Sequence, residues 1–157
     1  MNSELSTLNL PEYHVRTIER DGKRMVYDIF RGKYVRLTPE EHVRQQFVHY
    51  LVDAHAVPSG LVAIELPVDI QGRPQRADIV IYDREAQPLL LVECKAPDTS
   101  ISQTVFDQAS RYNLRLGAPF LAVTNGLEHY ACRIDRTSET IDFLTDLPDF
   151  DTMCSEA

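Results

Sequence analysis

Residues 76–95 read RADIVIYDREAQPLLLVECK, and they indicate two successive strands with a turn between them. This stretch contains two apolar runs with the length and the β-branched content of strands, separated by a polar segment that ends in Pro88 and fits a turn. The second run is apolar at every position, which is typical of a central strand covered on both faces of its sheet. We therefore predict strands over 77–82 and 89–95.

Charged residues stand at the ends of both predicted strands. Asp78 lies near the start of the first predicted strand, and Glu93 and Lys95 lie at the end of the second. Because side chains alternate along a strand, Glu93 and Lys95 point to one face and Cys94 points to the other. Fourteen residues separate Asp78 from Glu93, which leaves room for one hairpin that brings the two carboxylates together. Neighbouring carboxylates repel each other and need a cation, and their hard oxygen atoms suit Mg²⁺ or Mn²⁺.

The same three residues also have a purely structural interpretation. Glu93 and Lys95 could form an ordinary ion pair at a strand end, with Asp78 at a turn, and D…ExK triplets are common. However, both carboxylates adjoin apolar segments that otherwise resemble the buried core. Burying an unpaired charge in such a place is costly. This context favours a site over an incidental ion pair.

The N-terminal part of the chain alternates in the manner of strands. Asp21-Gly22 is a strong hairpin turn signal, so we predict a β-hairpin with a third short strand over 12–36. Thr38 and Pro39, with Glu41 three residues after Thr38, form a capping-box pattern that predicts a helix ending near Ala54. Residues 61–68 form the next predicted strand.

The C-terminal part contributes a second helix and further strands. The helix is predicted over 102–116, because Gly117 fits the position that follows a helix. Strands are predicted over 120–124 and 128–134, with an edge strand over 140–143. Residues 148–157 are acidic, and we expect a flexible tail there. The fold class is therefore mixed α/β, with a central mixed sheet flanked by helices.

Composition indicates one globular domain over 1–157. The chain is 43% hydrophobic and 25% charged, and its three cysteines form no CxxC pair, which argues against zinc and disulfide frameworks. No apolar stretch has the length of a membrane span, and residues 1–10 lack signal-peptide features. We therefore expect a cytoplasmic protein with no membrane contact.

Net charge argues against a general nucleic-acid binder. The formal charge is −8, whereas phosphate binding relies on Lys and Arg. A total of this kind can still conceal a local basic surface, or a carboxylate cluster that divalent cations neutralise.

Four motifs in one order resemble a known nuclease family. They are RADIV at 76–80, LVECKAP at 91–97, DQASRYN at 107–113 and TNG at 124–126. Together they are similar to the nuclease-like N-terminal domain of type I restriction enzyme R (HsdR) subunits, in the PD-(D/E)XK superfamily. The resemblance runs from about Tyr34 to Ile134. It implies a restriction-endonuclease-like core of order α-β-β-β-α-β over 37–135, with 12–36 as an extension.

The resemblance also implies roles for individual residues. Asp78 and Glu93 match the metal-binding acidic residues, and Lys95 matches the catalytic lysine. Gln108 and Tyr112 match the Q-x-x-x-Y motif, placed near the active site to contact a phosphate or the lysine. Ala77 stands where the motif name has proline. The sequence contains no GxxxxGK[ST] loop, so the resemblance does not extend to a translocating ATPase.

Several helical residues have two interpretations. Glu41 could complete the metal site or serve only its helix cap, because one side chain cannot do both. Gln108 and Tyr112 share a helix face by spacing and could equally be a surface amide and a core-edge aromatic. Arg44 and Arg111 could touch phosphates, but we interpret both as solvated helix charges.

Three functional hypotheses follow. The first is a Mg²⁺-dependent DNA endonuclease, with Mn²⁺ as an alternative ion, in which Asp78, Glu93, the Cys94 carbonyl and Glu41 hold the metal. The second is a weakly active or inactive nuclease-fold module that binds DNA or a restriction or repair protein. The third is an assembly subunit, as a homodimer or with a restriction or helicase partner that supplies the DNA-binding surface.

Overall fold

The first sheet is a three-stranded antiparallel meander. In the computed structural model, which describes residues 5–157, it comprises β1 (Thr17–Arg20), β2 (Lys23–Asp28) and β3 (Lys33–Arg36) in that order. Asp21 and Gly22 have φ values of +54° and +73°, the backbone that a two-residue hairpin turn requires. The predicted hairpin with a third strand is confirmed.

The second sheet has six strands and forms the centre of the molecule. Its strands are β4 (Val62–Ile70), β5 (Arg73–Tyr82), β6 (Pro88–Cys94), β7 (Phe120–Thr124), β8 (His129–Asp135) and β9 (Thr140–Leu144), adjacent in that order. The pairing of β6 with β7 is parallel, whereas the other pairs are antiparallel. A mixed sheet in a mixed α/β fold is therefore confirmed.

Three helices accompany this sheet: α1 (Pro39–Ala54), α2 (Gln103–Leu116) and α3 (Phe150–Glu156), with a 3₁₀ turn at Ser59–Leu61. Thr38 caps α1, because its hydroxyl oxygen accepts the Glu41 backbone N–H at 3.1 Å. Gly117 ends α2 with a left-handed φ of +76°, a conformation that costs glycine little. The order α-β-β-β-α-β runs from α1 to β7.

The helices cover both faces of the six-stranded sheet. On one face Val43, Phe47 and Leu51 of α1 pack with Leu90 and Val92 of β6. On the other face, side chains from α2 pack with the remaining core residues of the central strands, among them Phe106, Ala109, Leu91 and Val123. Residues 89–92 have no exposed surface, as their uniformly apolar sequence predicts. The charged ends of β5 and β6 are thereby held on rigid strands.

Strands β4 and β5 are longer than predicted. Pairing of β4 with β5 continues to Ile70 opposite Arg73, beyond the predicted ends at 68 and 77. Gln71 and Gly72 both have positive φ, so a tight two-residue turn lets the ladder run to its end.

The expected flexible tail over 148–157 is wrong. Asp149 caps α3 by accepting the Thr152 backbone N–H at 2.9 Å. Phe150 and Met153 are 1% and 0% exposed and join the core on the α1 face. The prediction relied on the acidic composition of this segment and overlooked its two apolar residues at helical spacing.

No helix among residues 5–157 is long and apolar enough to cross a membrane.

Candidate active site

Asp78 lies on β5 and is held from two sides. One carboxylate oxygen accepts the Cys94 backbone N–H at 2.8 Å, and the other accepts an Arg44 guanidinium N–H at 2.7 Å. The residue is only 7% exposed. Two charge-assisted hydrogen bonds therefore fix this carboxylate at the point where β5 meets the end of β6.

Glu93 is the second buried carboxyl group. It is also 7% exposed, and its Oε1 atom has no hydrogen-bond partner among the described residues. Burial, followed by the negative charge of Asp78, raises the pKa of Glu93 well above its usual range, against the smaller opposing effect of Lys95. Burial and the Asp78 charge therefore favour the protonated form of this carboxyl group.

Lys95 follows β6 directly and is half-buried. Its backbone N–H donates to the Thr124 carbonyl oxygen at 2.8 Å, which extends the parallel pairing past the strand end. Burial raises the pKa of both Glu93 and Glu40, and the Lys95 ammonium charge opposes that shift without reversing it. The structure thus brings Asp78, Glu93 and Lys95 into one electrostatic neighbourhood.

Cys94 takes part through its backbone. The side chain is fully buried in the core on the α1 face, while the N–H binds Asp78. Burial, followed by the charge of Asp78, raises the thiol pKa well above its ordinary value. The thiol is therefore a core group, consistent with the expectation that only the backbone belongs to the site.

Arg44 corrects one interpretation made from the sequence. It is not a solvated helix charge, because it is 7% exposed and its guanidinium lies between Asp78 and Glu41, at 2.7 and 2.8 Å. Its Nε atom has no partner among the described residues. Arg44 is therefore a buried cation that offsets part of the negative charge of the carboxylates around it.

Glu41 forms half of the predicted capping box. Its backbone N–H binds Thr38, but Thr38 directs its own N–H to the Arg36 carbonyl oxygen. The Glu41 carboxylate instead accepts from Arg31 at 2.6 Å and Arg44 at 2.8 Å. The side chain is thus oriented towards the site, where it contacts two guanidinium groups.

Arg31 links the N-terminal sheet to this site. It lies in the β2–β3 turn, and its guanidinium contacts Asp28, Glu41 at 2.6 Å and Glu65 at 3.1 Å. Asp28 has no exposed surface and also accepts the backbone N–H groups of Phe30 and Arg31. This turn therefore carries a preorganised cation into the site.

Glu65 is an acidic residue that the sequence did not single out. It lies on β4 opposite Asp78, between the paired positions Ile64↔Ile79 and Leu66↔Ala77, and it has a φ of +53°. That conformation is strained for a residue with a Cβ. Its carboxylate lies 3.1 Å from Arg31 and 3.7 Å from Arg44.

The two residues of the Q-x-x-x-Y motif differ in placement. Tyr112 donates its hydroxyl proton to the Gln75 side chain at 3.2 Å. Burial, then the charges of Glu93 and Asp78, raises its pKa, so it lies within electrostatic reach of the site. Gln108 is exposed on α2, and no side-chain hydrogen bond joins it to another described residue.

A groove of about 430 Å³ opens beside the site. It runs along β3 and the start of α1, and four cationic side chains line it: Arg31, Lys33, Arg36 and Arg44. Glu40, Glu41 and Glu65 line the same groove. The catalytic candidates are therefore next to a cleft that carries local positive charge in an acidic protein.

The residues present fit a hard divalent cation. Among residues 5–157 no group of three His, Cys, Asp or Glu side chains is already gathered for a metal. Asp78 and Glu93 nevertheless supply two buried carboxyl groups, and the free Glu93 Oε1 is an acceptor that lacks a donor. Carboxylate oxygens are the preferred ligands of Mg²⁺.

Sequence and structure comparisons bear on the family. Residues 39–148 match the family described as type I restriction enzyme R protein N terminus (HSDR_N). None of the curated proteins matches the chain.

A solved structure of a restriction-enzyme subunit fragment shares the fold. It is a fragment named as an HsdR subunit of a type I restriction enzyme from Vibrio vulnificus YJ016, with 22% sequence identity and a TM-score of 0.56. The likeness covers 76% of this chain but 25% of that one, so this chain spans about a quarter of its length. At this identity the likeness establishes the fold alone.

The family match extends over more than two thirds of the sequence and includes every motif residue described above. The chain belongs to the type I restriction enzyme R protein N terminus (HSDR_N) family.

Proposed function

We propose that this protein is a Mg²⁺-dependent phosphodiesterase that cleaves DNA in a restriction-related system. One observation carries the proposal: Glu93 is buried beside Asp78, its Oε1 atom has no donor, and Lys95 follows two residues later. A carboxyl pair of this kind is costly to keep without a ligand. A buried acid whose pKa is shifted by burial and by a specific charged neighbour marks a candidate functional site.

In this proposal Asp78, Glu93 and the Cys94 carbonyl oxygen hold the metal ion, with Mn²⁺ as a substitute. Glu41, which the sequence suggested as a ligand, acts through Arg44, because its carboxylate already binds two guanidinium groups. Arg44 remains in the site as a counter-ion for Asp78.

The charge balance supports a single divalent ion. The network contains six acidic groups and four basic groups: Asp28, Glu40, Glu41, Glu65, Asp78 and Glu93, against Arg31, Arg44, Arg76 and Lys95. With every group ionised, the network has a net charge of −2, which one divalent cation neutralises. A second such ion would leave an excess of positive charge.

The chain's own residues then have separate tasks. The cation, when bound, supplies Lewis acidity towards phosphoryl oxygen and water. Glu93 would give up its proton to solvent when the cation binds, and the Cys94 N–H would keep Asp78 oriented. The Lys95 ammonium group orients the attacking water or stabilises charge on the phosphate. Tyr112 and Gln108 contact a neighbouring phosphate.

DNA is the proposed substrate for two reasons. The family belongs to restriction enzymes, and the groove beside the site is lined by four cationic side chains. One site cuts one strand, so a duplex break requires a second copy or a restriction or helicase subunit.

A second candidate function is a module without turnover that binds DNA or a restriction partner. The position of Arg44 favours it, since the guanidinium satisfies Asp78 and Glu41 without any metal. Such a site could persist in a protein that never cleaves.

Nicking of supercoiled plasmid tests the proposed function. Wild type is incubated with Mg²⁺, with Mn²⁺ and with EDTA, beside Asp78→Asn, Lys95→Ala and the exposed control Asp142→Asn. We expect metal-dependent nicking by wild type and the control, and a loss of at least about 100-fold in both site variants. Nicking that survives Asp78→Asn, or that persists in EDTA, would contradict the proposal. Metal binding without nicking would favour the second candidate.

A further inference from the structure

The outward face of the N-terminal sheet combines basic and aromatic side chains. Alternation along the three strands and the observed register place eight residues on it: Arg16, Ile18, Arg20, Lys23, Met25, Tyr27, Tyr34 and Arg36. Four of the eight are Arg or Lys, and none is acidic. In a chain with a net charge of −8, this is a concentrated positive surface. It is called the basic face below.

The opposite face of the N-terminal sheet packs against the rest of the protein. Val26 and Asp28 have no exposed surface, and they alternate with the residues of the basic face along β2. The sheet therefore directs one side towards the body of the molecule and the other outward. Arg16, Arg20, Lys23 and Arg36 are all exposed.

The four cations have no carboxylate partners within the described part of the chain. None of them lies within 4 Å of an Asp or Glu oxygen there. Arg16 and Arg20 instead lie over tyrosine rings, at 6.0 Å from Tyr27 and 5.6 Å from Tyr34. Their charge is therefore free for an external anion, and their planes are held close to aromatic rings.

The basic face is continuous with the groove that opens beside the site. Arg36 belongs to the face through its pairing with Met25, and it also lines that groove together with Glu41 and Arg44. A polyanion lying on the face would thus reach Arg44, the residue that binds Asp78, along one surface. This continuity distinguishes a nucleic-acid strand from an anionic membrane, which is flat and has no bases to meet the tyrosines.

We propose that the basic face is the DNA-docking surface of this protein: its four cations bind backbone phosphates, and Tyr27 and Tyr34 pack against bases or sugars. The choice of DNA rests on the proposed function, whereas the binding itself requires no metal. Basic grooves with interspersed aromatic side chains bind single-stranded nucleic acid in this way. The face also supplies the local positive charge that the acidic total conceals.

Binding of a fluorescein-labelled 20-nucleotide DNA in EDTA tests this proposal, because cleavage cannot occur there. The oligonucleotide is used as a single strand and as a duplex, and anisotropy is followed over a range of salt concentrations. The variant Arg20→Gln/Lys23→Gln is compared with Arg84→Gln/Arg133→Gln, which removes the same charge from two arginines that contact α3. Thermal melting confirms that all proteins are folded.

We expect the Arg20→Gln/Lys23→Gln variant to bind about tenfold more weakly, with a salt-dependence slope reduced by about 2. The control should bind as wild type does. Equal affinities for the two variants would overturn the proposal. So would tight binding to phosphatidylserine vesicles by a wild type that does not bind the oligonucleotide. A wild type that docks DNA through this face but never cleaves it would refute the phosphodiesterase activity and leave the docking surface intact.

Discussion

Glu93 is the residue on which the chemistry depends. Its pKa is raised because burial and the Asp78 charge disfavour the carboxylate. An acidic group whose pKa is higher in the folded state binds an extra proton there, so its contribution to stability is present at low pH. That contribution is lost as pH rises from the unfolded-state pKa through the folded-state pKa.

The metal-free protein should therefore become less stable as the pH rises from the ordinary range of a glutamate pKa towards about 9, the raised pKa of Glu93. Urea unfolding across this range, in EDTA, measures the free energy of unfolding. Glu93→Gln should flatten the slope because glutamine does not titrate. Added Mg²⁺ should stabilise wild type more at high pH, where Glu93 loses its proton more easily. An identical slope in wild type and Glu93→Gln would contradict this assignment.

The buried position of Arg44 leads to a second prediction. Arg44→Gln removes the cation between Asp78 and Glu41, so it should cost about 3–5 kcal/mol in the metal-free protein. The exposed Arg20→Gln should cost less than about 0.5 kcal/mol. Mg²⁺ should restore more stability to Arg44→Gln than it adds to wild type, measured by thermal melting. An Arg44→Gln protein as stable as wild type in EDTA would mean that this guanidinium is not the counter-ion.

Among the elements, β4 carries a local distortion at the site. Glu65 has a φ of +53° directly opposite Asp78, where glycine would be relaxed and alanine strained. Glu65→Gly should therefore be more stable than Glu65→Ala by about 1 kcal/mol. At Glu19, on the regular strand β1, the order should reverse, because glycine weakens a strand. Urea unfolding measures the stability of the four variants. If glycine and alanine rank in the same order of stability at both positions, the backbone at Glu65 is not strained.

The last helix makes a different prediction. Phe150 is 1% exposed, whereas Phe143 on β9 is 67% exposed. Phe150→Ala should cost about 3–5 kcal/mol, and Phe143→Ala much less. Chemical unfolding of both variants measures the loss in the free energy of unfolding. A loss for Phe150→Ala no greater than for Phe143→Ala would mean that residues 148–157 form a flexible tail after all.

For the molecule as a whole, the sequence predicted the elements better than the contacts between them. Asp21-Gly22 and the uniformly apolar run 89–92 each carry a strong local signal, because turn geometry and burial on both faces restrict which residues fit. The order α-β-β-β-α-β followed from such signals and from the four motifs. Within the candidate site, Asp78, Glu93 and Lys95 were predicted from strand alternation, from a spacing that fits one hairpin and from the family resemblance.

The residues that were missed depend on tertiary contacts. Arg44 looks the same in sequence whether its helix face meets solvent or two carboxylates, and Glu65 carries no signal of its positive φ. The basic face could have been found, since the Asp21-Gly22 turn fixes the register that aligns Arg20 with Lys23. The final helix also had a signal, as Asp149 precedes Phe150 and Met153 at capping and helical spacing.

Calorimetric titration of Mg²⁺ and Mn²⁺ into the metal-free protein tests the central claim most directly. We expect wild type to bind one divalent ion per chain with release of a proton, and Asp78→Asn to bind none, while the exposed variant Asp142→Asn behaves as wild type. If wild type binds no ion, or if Asp78→Asn binds as tightly as wild type does, Asp78 and Glu93 are not a metal site, and their pairing with Arg44 and Lys95 is structural.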